Sequence, residues 1–214
     1  MKEFNEENIT RKSNLSENDS ISCYMNHGAQ QNHHTYEVFY NFMDEVKPKR
    51  ILEIGTGMGG FTMSLKLFAE ELELDIDIRS YDINGSFMYN TLLENGVDAR
   101  LENIFDGDNV DTEVIEYIQS EGTTVVLCDG GNKIFEFRVL SEYIKSGDFI
   151  FAHDYARNEE YFQSHVNLKL WNWHEIQDRD IENSVIKHNL EPFMADEFQQ
   201  AVWVCKIKKQ YGSK

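Results

Sequence analysis

From Thr35 onward the chain repeats one pattern: a short apolar run, a turn, then a longer amphipathic stretch. This alternation constrains the fold more than any other feature. Strands that alternate with crossover helices pair in parallel, and the helices cover both faces of the sheet. "TYEVFYNFMDEV" carries Val38, Phe39, Phe42 and Met43 at helical spacing, and Pro48 closes it. The strands are "RILEIG", "IDIRSYD", "DARLENI", "TTVVLCD" and "DFIFAHD". Between them lie the helices "FTMSLKLFAEEL", "NGSFMYNTLLEN", "NVDTEVIEYIQSEG" and "KIFEFRVLSEYIKSG". The C-terminal part breaks the rhythm. Helix "DRDIENSVIKHNL" is followed by "EPFM" and "QAVWVCKIKK", joined by a short polar link, which suits an antiparallel hairpin better than another crossover. The expected fold is therefore α/β, a Rossmann-like doubly wound sheet.

Residues 1–34 are rich in Asn, Ser and Glu and show no clean periodicity, so a loosely ordered polar arm, able to act as a lid, is expected there. Residues 35–214 then form one domain, long enough for a full hydrophobic core. The formal net charge of −18 repels phosphate backbones, so nucleic acid is not an expected partner. No apolar run approaches the ~18 residues of a membrane helix, and the N-terminus lacks the apolar core of a signal peptide. No membrane partner and a cytoplasmic location are the expectations. Cys23, Cys128 and Cys205 are far apart, and the latter two sit in apolar runs as buried free thiols.

"ILEIGTGMGG" carries Gly55, Gly57, Gly59 and Gly60 between the first strand and its helix. The run satisfies G-x-G-x-x-G, the dinucleotide fingerprint, and its position after a strand and before a helix points to a nucleotide-like cofactor. Glu53 separates the readings. A carboxylate two residues before Gly55 opposes a pyrophosphate and suits a cation, such as the α-amino group and sulfonium of S-adenosylmethionine. A nicotinamide-dependent oxidoreductase is thereby the weaker alternative. Asp82 ends the second strand, about 20 residues beyond the loop, where a carboxylate can accept both ribose hydroxyls. The ordinary alternative is that Asp82 caps the helix beginning near Asn84.

"LEIGTGMGG", "YDI", "ENIFD" and "VVLCDGGNK", in that order, resemble the successive motifs of class I S-adenosylmethionine-dependent methyltransferases over about residues 36–208. The resemblance implies seven strands in the order 3-2-1-4-5-7-6, the last antiparallel, and a methyltransferase domain over 35–214. It implies S-adenosylmethionine held by Glu53, Gly55, Thr56, Gly57, Gly59, Asp82, Ile83, Asn103, Ile104 and Asp129. Asn103 would face the adenine amino group, where many relatives carry Asp.

Asp129 ends the fourth strand, and His153 and Asp154 end the fifth. Ligands of doubly wound sheets bind outside the carboxyl ends of the strands, so these three side chains can converge beside the reacting methyl group. The arrangement is similar to metal-dependent O-methyltransferases of the catechol, caffeoyl-coenzyme A and macrolide-sugar types, and to the cephalosporin hydroxylase-like branch. Those relatives imply a divalent metal (Mg, Mn or another) on Asp129, His153 and Asp154. The imidazole departs from their acidic pair and suits Zn, Fe, Ni or Mn better than Mg. The relatives' Asp-x-Asp is here Asp129-Gly130-Gly131, so Lys133 or His153 becomes the expected base, with Asp129 as the third catalytic residue. A strand-end polar cap is the plainer reading of His153 and Asp154. His27, His33 and His34 are weaker candidates, either a lid or an entry to the first helix. Trp171 and Trp173 can stack on an acceptor or, as read here, anchor an insertion onto the sheet. The expected function is O-methylation of a small-molecule acceptor, a sugar or a phenolic compound. A non-catalytic S-adenosylmethionine-binding protein is the alternative, and a homo-oligomer is compatible with either.

Overall fold

The computed structural model describes residues 2–12 and 20–210. Met1, residues 13–19 of the expected N-terminal arm and residues 211–214 of the expected domain lie outside the described residues. Strand β1 (Ile9–Arg11), β2 (Ser22–Tyr24) and β3 (His27–Ala29) form a small antiparallel sheet. Periodicity does not announce it, because each strand has three residues, too few for an alternation to register. Tyr24 is nonetheless fully buried, with Phe4 and Phe68 rings against it.

Helix α1 (His34–Val46) leads into β4 (Arg50–Ile54), α2 (Gly60–Glu71), β5 (Asp77–Tyr81), α3 (Tyr89–Glu94) and β6 (Asp98–Arg100). A two-residue hairpin, β7 (Phe105–Asp106) with β8 (Asn109–Val110), precedes α4 (Thr112–Gln119) and β9 (Thr124–Cys128). Then come α5 (Lys133–Leu140), β10 (Phe149–Ala152), α6 (Glu159–Tyr161) running into one π turn, and α7 (Asp178–His188). The chain closes with β11 (Leu190–Pro192), α8 (Ala195–Gln200) and β12 (Val204–Lys208).

The main sheet has seven strands ordered β6-β5-β4-β9-β10-β12-β11, parallel except at β12, which runs antiparallel to both neighbours. This is the expected 3-2-1-4-5-7-6 order. Several boundaries differ from expectation, among them the second crossover helix, which begins at Tyr89 rather than near Asn84. The third strand stops at Arg100, leaving Asn103 and Ile104 in the loop beyond it. The fourth crossover helix ends at Leu140 and continues only as turns. The link between the last two strands contains α8, whose buried Phe198 packs on Phe39 and Phe151.

Period-two alternation along the strands sorts the core into two layers. Ile51, Val125, Leu127, Phe149 and Phe151 face one layer with α1, α2 and the small sheet. Leu52, Val126, Cys128, Ile150 and Ala152 face the other, with α4, α5 and α7. Cys128 and Cys205 are buried free thiols, as expected, and Cys23 is partly exposed. Among the described residues no helix is long and apolar enough to cross a membrane.

Candidate active site

The same alternation aims the candidate residues. Glu53 follows Ile51, Asp129 follows Leu127 and His153 follows Phe151, each at a spacing of two, so all three point to the α1/α2 side. Register sets the strand ends side by side: Ile54 pairs with Cys128, and Cys128 with Ala152, so Gly55, Asp129 and His153 form a row just past the strand ends, with Glu53 two residues before Gly55.

Gly55 must be glycine because of this row. A Cβ there would lie 2.2 Å from the Asp129 carbonyl oxygen, and φ is +96°. Gly60, which completes the fingerprint, is required by something else: its Cβ would lie 2.0 Å from the Gly28 carbonyl oxygen. One glycine of the motif therefore serves the packing of β3 on α2. The Gly57 amide donates to Asp82 Oδ2 at 2.8 Å and the Asn84 amide to Oδ1 at 2.8 Å. Asp82 thus braces the glycine loop; it does not cap the next helix, which begins at Tyr89.

Two clefts open along the row. One, about 490 Å³, is lined by Gly55, Gly57, Tyr81, Asp82, Ile83, Asn103, Ile104, Phe105 and Phe135. The other, about 330 Å³, is lined by Gln30, Gln31, Glu53, Phe61, Asp129, Lys133, His153, Asp154, Trp173 and Glu175. They share Gly55, Gly57, Asp129 and Gly130. The first thus gathers the residues expected around the ribose and adenine, and the second those expected around the methyl group. Thr56 is buried and bonds the Ser80 hydroxyl at 2.6 Å, and Gly59 caps the start of α2.

Glu53 is buried, and its Oε2 accepts hydrogen bonds from the hydroxyls of Thr62 and Ser80. Burial dominates, with Asp129 and Asp82 adding to it against those two hydrogen bonds, and its pKa is pushed up to about 7.

In the second cleft His153 Nδ1 lies 3.0 Å from Asp129 Oδ1 and 3.5 Å from Asp154 Oδ1. Its ring stacks on Trp203, with centroids 4.7 Å apart, and its Nε2 is buried without a partner. Asp154 has φ +56°, a left-handed conformation that Asp tolerates better than most residues. The turn is held from both sides. Its carbonyl accepts the Glu175 amide at 2.8 Å, and its Oδ1 accepts the Trp171 indole N–H at 2.7 Å. Trp171 is thus fully buried and an anchor, as read from the sequence, and Trp173 lies on the cleft wall.

Lys133 enters from the start of α5. Its Nζ lies 3.1 Å from Asp154 Oδ2, 3.7 Å from Asp129 Oδ1 and 2.9 Å from Glu175 Oε2, and donates to the Gly130 carbonyl at 3.1 Å. Burial alone would lower the Lys133 pKa, but Asp129, Asp154 and Glu175 outweigh it and raise it above that of an ordinary lysine. A lysine so held is a cation, not the base expected from the sequence. Burial alone would also lower the His153 pKa, yet Asp129 and Asp154 raise it above that of an ordinary imidazole. Asp129 is raised by burial against the pull of His153 and Lys133. For Asp154 burial pushes up, but His153, Lys133 and the Trp171 hydrogen bond prevail and lower it.

Gln31 is the residue that sequence reasoning missed. Its Nε2 donates to Asp129 Oδ2 at 2.8 Å, and its Oε1 accepts the Trp203 indole N–H at 3.0 Å. An indole can only donate and a carboxylate only accept, so the two partners fix the amide's orientation. Partners so distant in sequence leave no local signal. Among the described residues, Asp129, His153 and Asp154 form the single cluster of metal-ligand type, with ligand atoms within 4.8 Å of one another. His27, His33 and His34 do not assemble into one. The His33 and His34 rings lie 4.2 Å apart, and burial, then His34, lowers the His33 pKa to about 4.

No protein-family model matches this sequence, and no curated protein matches it. Solved structures do match in fold. The apo form of CmcI aligns over 85% of this chain and 73% of its own, with a TM-score of 0.60 and 13% identity. CmcI in its Mg-SAM form aligns over 84% and 73%, with a TM-score of 0.58 and 14% identity. A putative caffeoyl-CoA O-methyltransferase from Staphylococcus aureus aligns over 81% and 82%, with a TM-score of 0.53 and 15% identity. The chain therefore has the class I S-adenosylmethionine-dependent methyltransferase fold. Within that fold it is similar to enzymes of the O-methyltransferase kind.

Proposed function

We propose that the protein transfers the methyl group of S-adenosylmethionine to a hydroxyl of a small, uncharged molecule, a sugar or a phenolic compound. The observation that carries the reading is the junction of the two clefts at Gly55, Gly57, Asp129 and Gly130. Asp82, Asn103 and Ile104 would hold the nucleoside in the larger cleft. Glu53, its carboxylate poised near neutrality, would face the ligand's cationic part. Bound S-adenosylmethionine supplies an electrophilic methyl carbon on a sulfonium.

The acceptor would enter the smaller cleft between Gln30, Gln31, Trp173 and Glu175. The carboxylates of Asp129, Asp154 and Glu175 on its wall are offset by Lys133 and by His153 when protonated, which favours an uncharged acceptor, and the wall's amides and carboxylates favour one rich in hydroxyls. Asp129, on the wall of this cleft, would meet the acceptor hydroxyl, and burial raises its affinity for the proton that the attacking oxygen would release. Gln31 and His153 hold that carboxylate in place. A lid role for the N-terminal segment has the support that Ala29, Gln30 and Gln31 form one wall of this cleft.

The metal implied by the O-methyltransferase resemblance fits poorly. The Lys133 ammonium already lies against both carboxylates, 3.1 Å from Asp154 Oδ2 and 3.7 Å from Asp129 Oδ1, and no step here runs through a metal.

Calorimetric titration with S-adenosylmethionine and with NAD tests the cofactor. Methyl transfer to a panel of sugars and phenols by wild type and Asp129→Asn tests the chemistry. Binding of NAD in preference to S-adenosylmethionine would refute the reading. Binding without transfer by wild type would favour a non-catalytic S-adenosylmethionine-binding protein.

A further inference from the structure

Resting on that methyltransferase reading, we infer that the Lys133 ammonium is a built-in replacement for the divalent cation, so that this site works without a metal. Asp129 and Asp154, two of the three candidate ligands, are both turned toward Nζ, at 3.7 and 3.1 Å, and Glu175 completes the shell at 2.9 Å. The Lys133 and Asp154 side chains are 7% and 5% exposed, so this pair is removed from water rather than screened by it. A buried ammonium among carboxylates is a resident charge, not a passing surface contact.

The other contacts hold the two carboxylates in this arrangement. Asp154 Oδ1 takes the Trp171 indole N–H, and Asp129 Oδ2 takes the Gln31 amide. His153 presents Nδ1 to Asp129 Oδ1, which leaves Nε2 turned into the protein interior, unpartnered beside Trp203. A metal on Asp129 and Asp154 would set a second cation against the Lys133 ammonium, which already lies against both carboxylates. A metal-ligating carboxylate pair and a filled ion-pair cage need the same residue types; the lysine decides between them. The ammonium would fix Asp129 and Asp154 and present positive charge near the attacking oxygen. It would not coordinate that oxygen as a metal does.

Mn²⁺ binding, read by calorimetry and electron paramagnetic resonance with and without S-adenosylhomocysteine, tests this apart from activity. Wild type is expected to bind Mn²⁺ no more tightly than about 1 mM, and its methyl transfer to survive EDTA. Lys133→Met, which keeps most of the side chain's length and removes the charge, is expected to gain at least about tenfold in Mn²⁺ affinity, equivalent to about 1.4 kcal/mol. A second substitution, Asp154→Asn, should abolish that gain. Stoichiometric Mn²⁺ binding by wild type that Asp154→Asn removes would overturn the inference, as would a folded Lys133→Met with no gain. The wild-type titration decides even where Lys133→Met does not fold. Failure of wild type to bind S-adenosylmethionine would instead sink the methyltransferase reading, and the Mn²⁺ result would still judge the lysine.

Discussion

Glu53→Gln is expected to stabilise the ligand-free protein above neutral pH. Glu53 is buried, and its pKa rises from an ordinary 4.5 to about 7, first through desolvation and then through Asp129 and Asp82. At about 1.4 kcal/mol per pH unit, its ionised form in the folded chain costs about 3 kcal/mol. The folded state holds this proton longer than the unfolded state does. Glu53 therefore takes nothing from stability below about pH 4.5, lowers it as pH rises from 4.5 to 7, and exerts the full cost above 7. Glutamine keeps an oxygen for the Thr62 and Ser80 hydroxyls and removes the charge. Urea unfolding of both proteins between about pH 5 and pH 8 reads the difference directly, since the other acidic groups are common to both. The variant should gain about 2–3 kcal/mol on wild type across that window. S-adenosylmethionine should reverse the advantage. A cation against Glu53 favours its charged form, so wild-type affinity should climb as pH rises toward 7, and the variant's should stay flat and weaker. A stability difference independent of pH, or a variant less stable at pH 8, would refute the argument.

Three further outcomes follow from the geometry. Gly60→Ala places a methyl against the Gly28 carbonyl, so a loss of about 1–3 kcal/mol is expected in thermal unfolding; an unchanged midpoint would mean that β3 is not held there. Asp82→Ala removes the brace on the Gly57 amide and should weaken S-adenosylmethionine binding about 10- to 100-fold, as for a lost hydrogen bond to a charged group, with the unfolding midpoint little changed. Trp171→Phe keeps a smaller aromatic ring, strips Asp154 of its indole donor and leaves a void in a fully buried place; at least about 1–3 kcal/mol should be lost in urea unfolding, and no loss would show that Asp154 finds another donor and the void closes.

The frame of the fold was legible because its signals are local. Ile51, Val125 and Phe149 open short apolar strands, glycine punctuation follows the first of them, and helical spacing fills the intervals. Such patterns survive in a single sequence because period and turn chemistry act over a few residues. The strand-end row was legible for the same reason: Asp129, His153 and Asp154 each end an apolar run. The N-terminal strands were not legible, being three residues each, nor was α8 inside the expected hairpin.

What the row does chemically lay beyond sequence. Gln31 meets Asp129 and Trp203 only because the small sheet packs on α2 and carries the chain across the strand ends. Glu53 was recognised as a carboxylate near a cation, but its near-neutral proton depends on burial with Thr62 and Ser80, which only packing supplies. Lys133 changed most. As a letter near Asp129 it was an expected base; in the folded chain three carboxylates surround it. Sequence by itself determined the α/β order, the glycine loop and the polar strand ends, because backbone geometry and hydrophobic period are short-range. Tertiary structure decided which charges face one another, because electrostatics and desolvation depend on distances that only the folded chain sets.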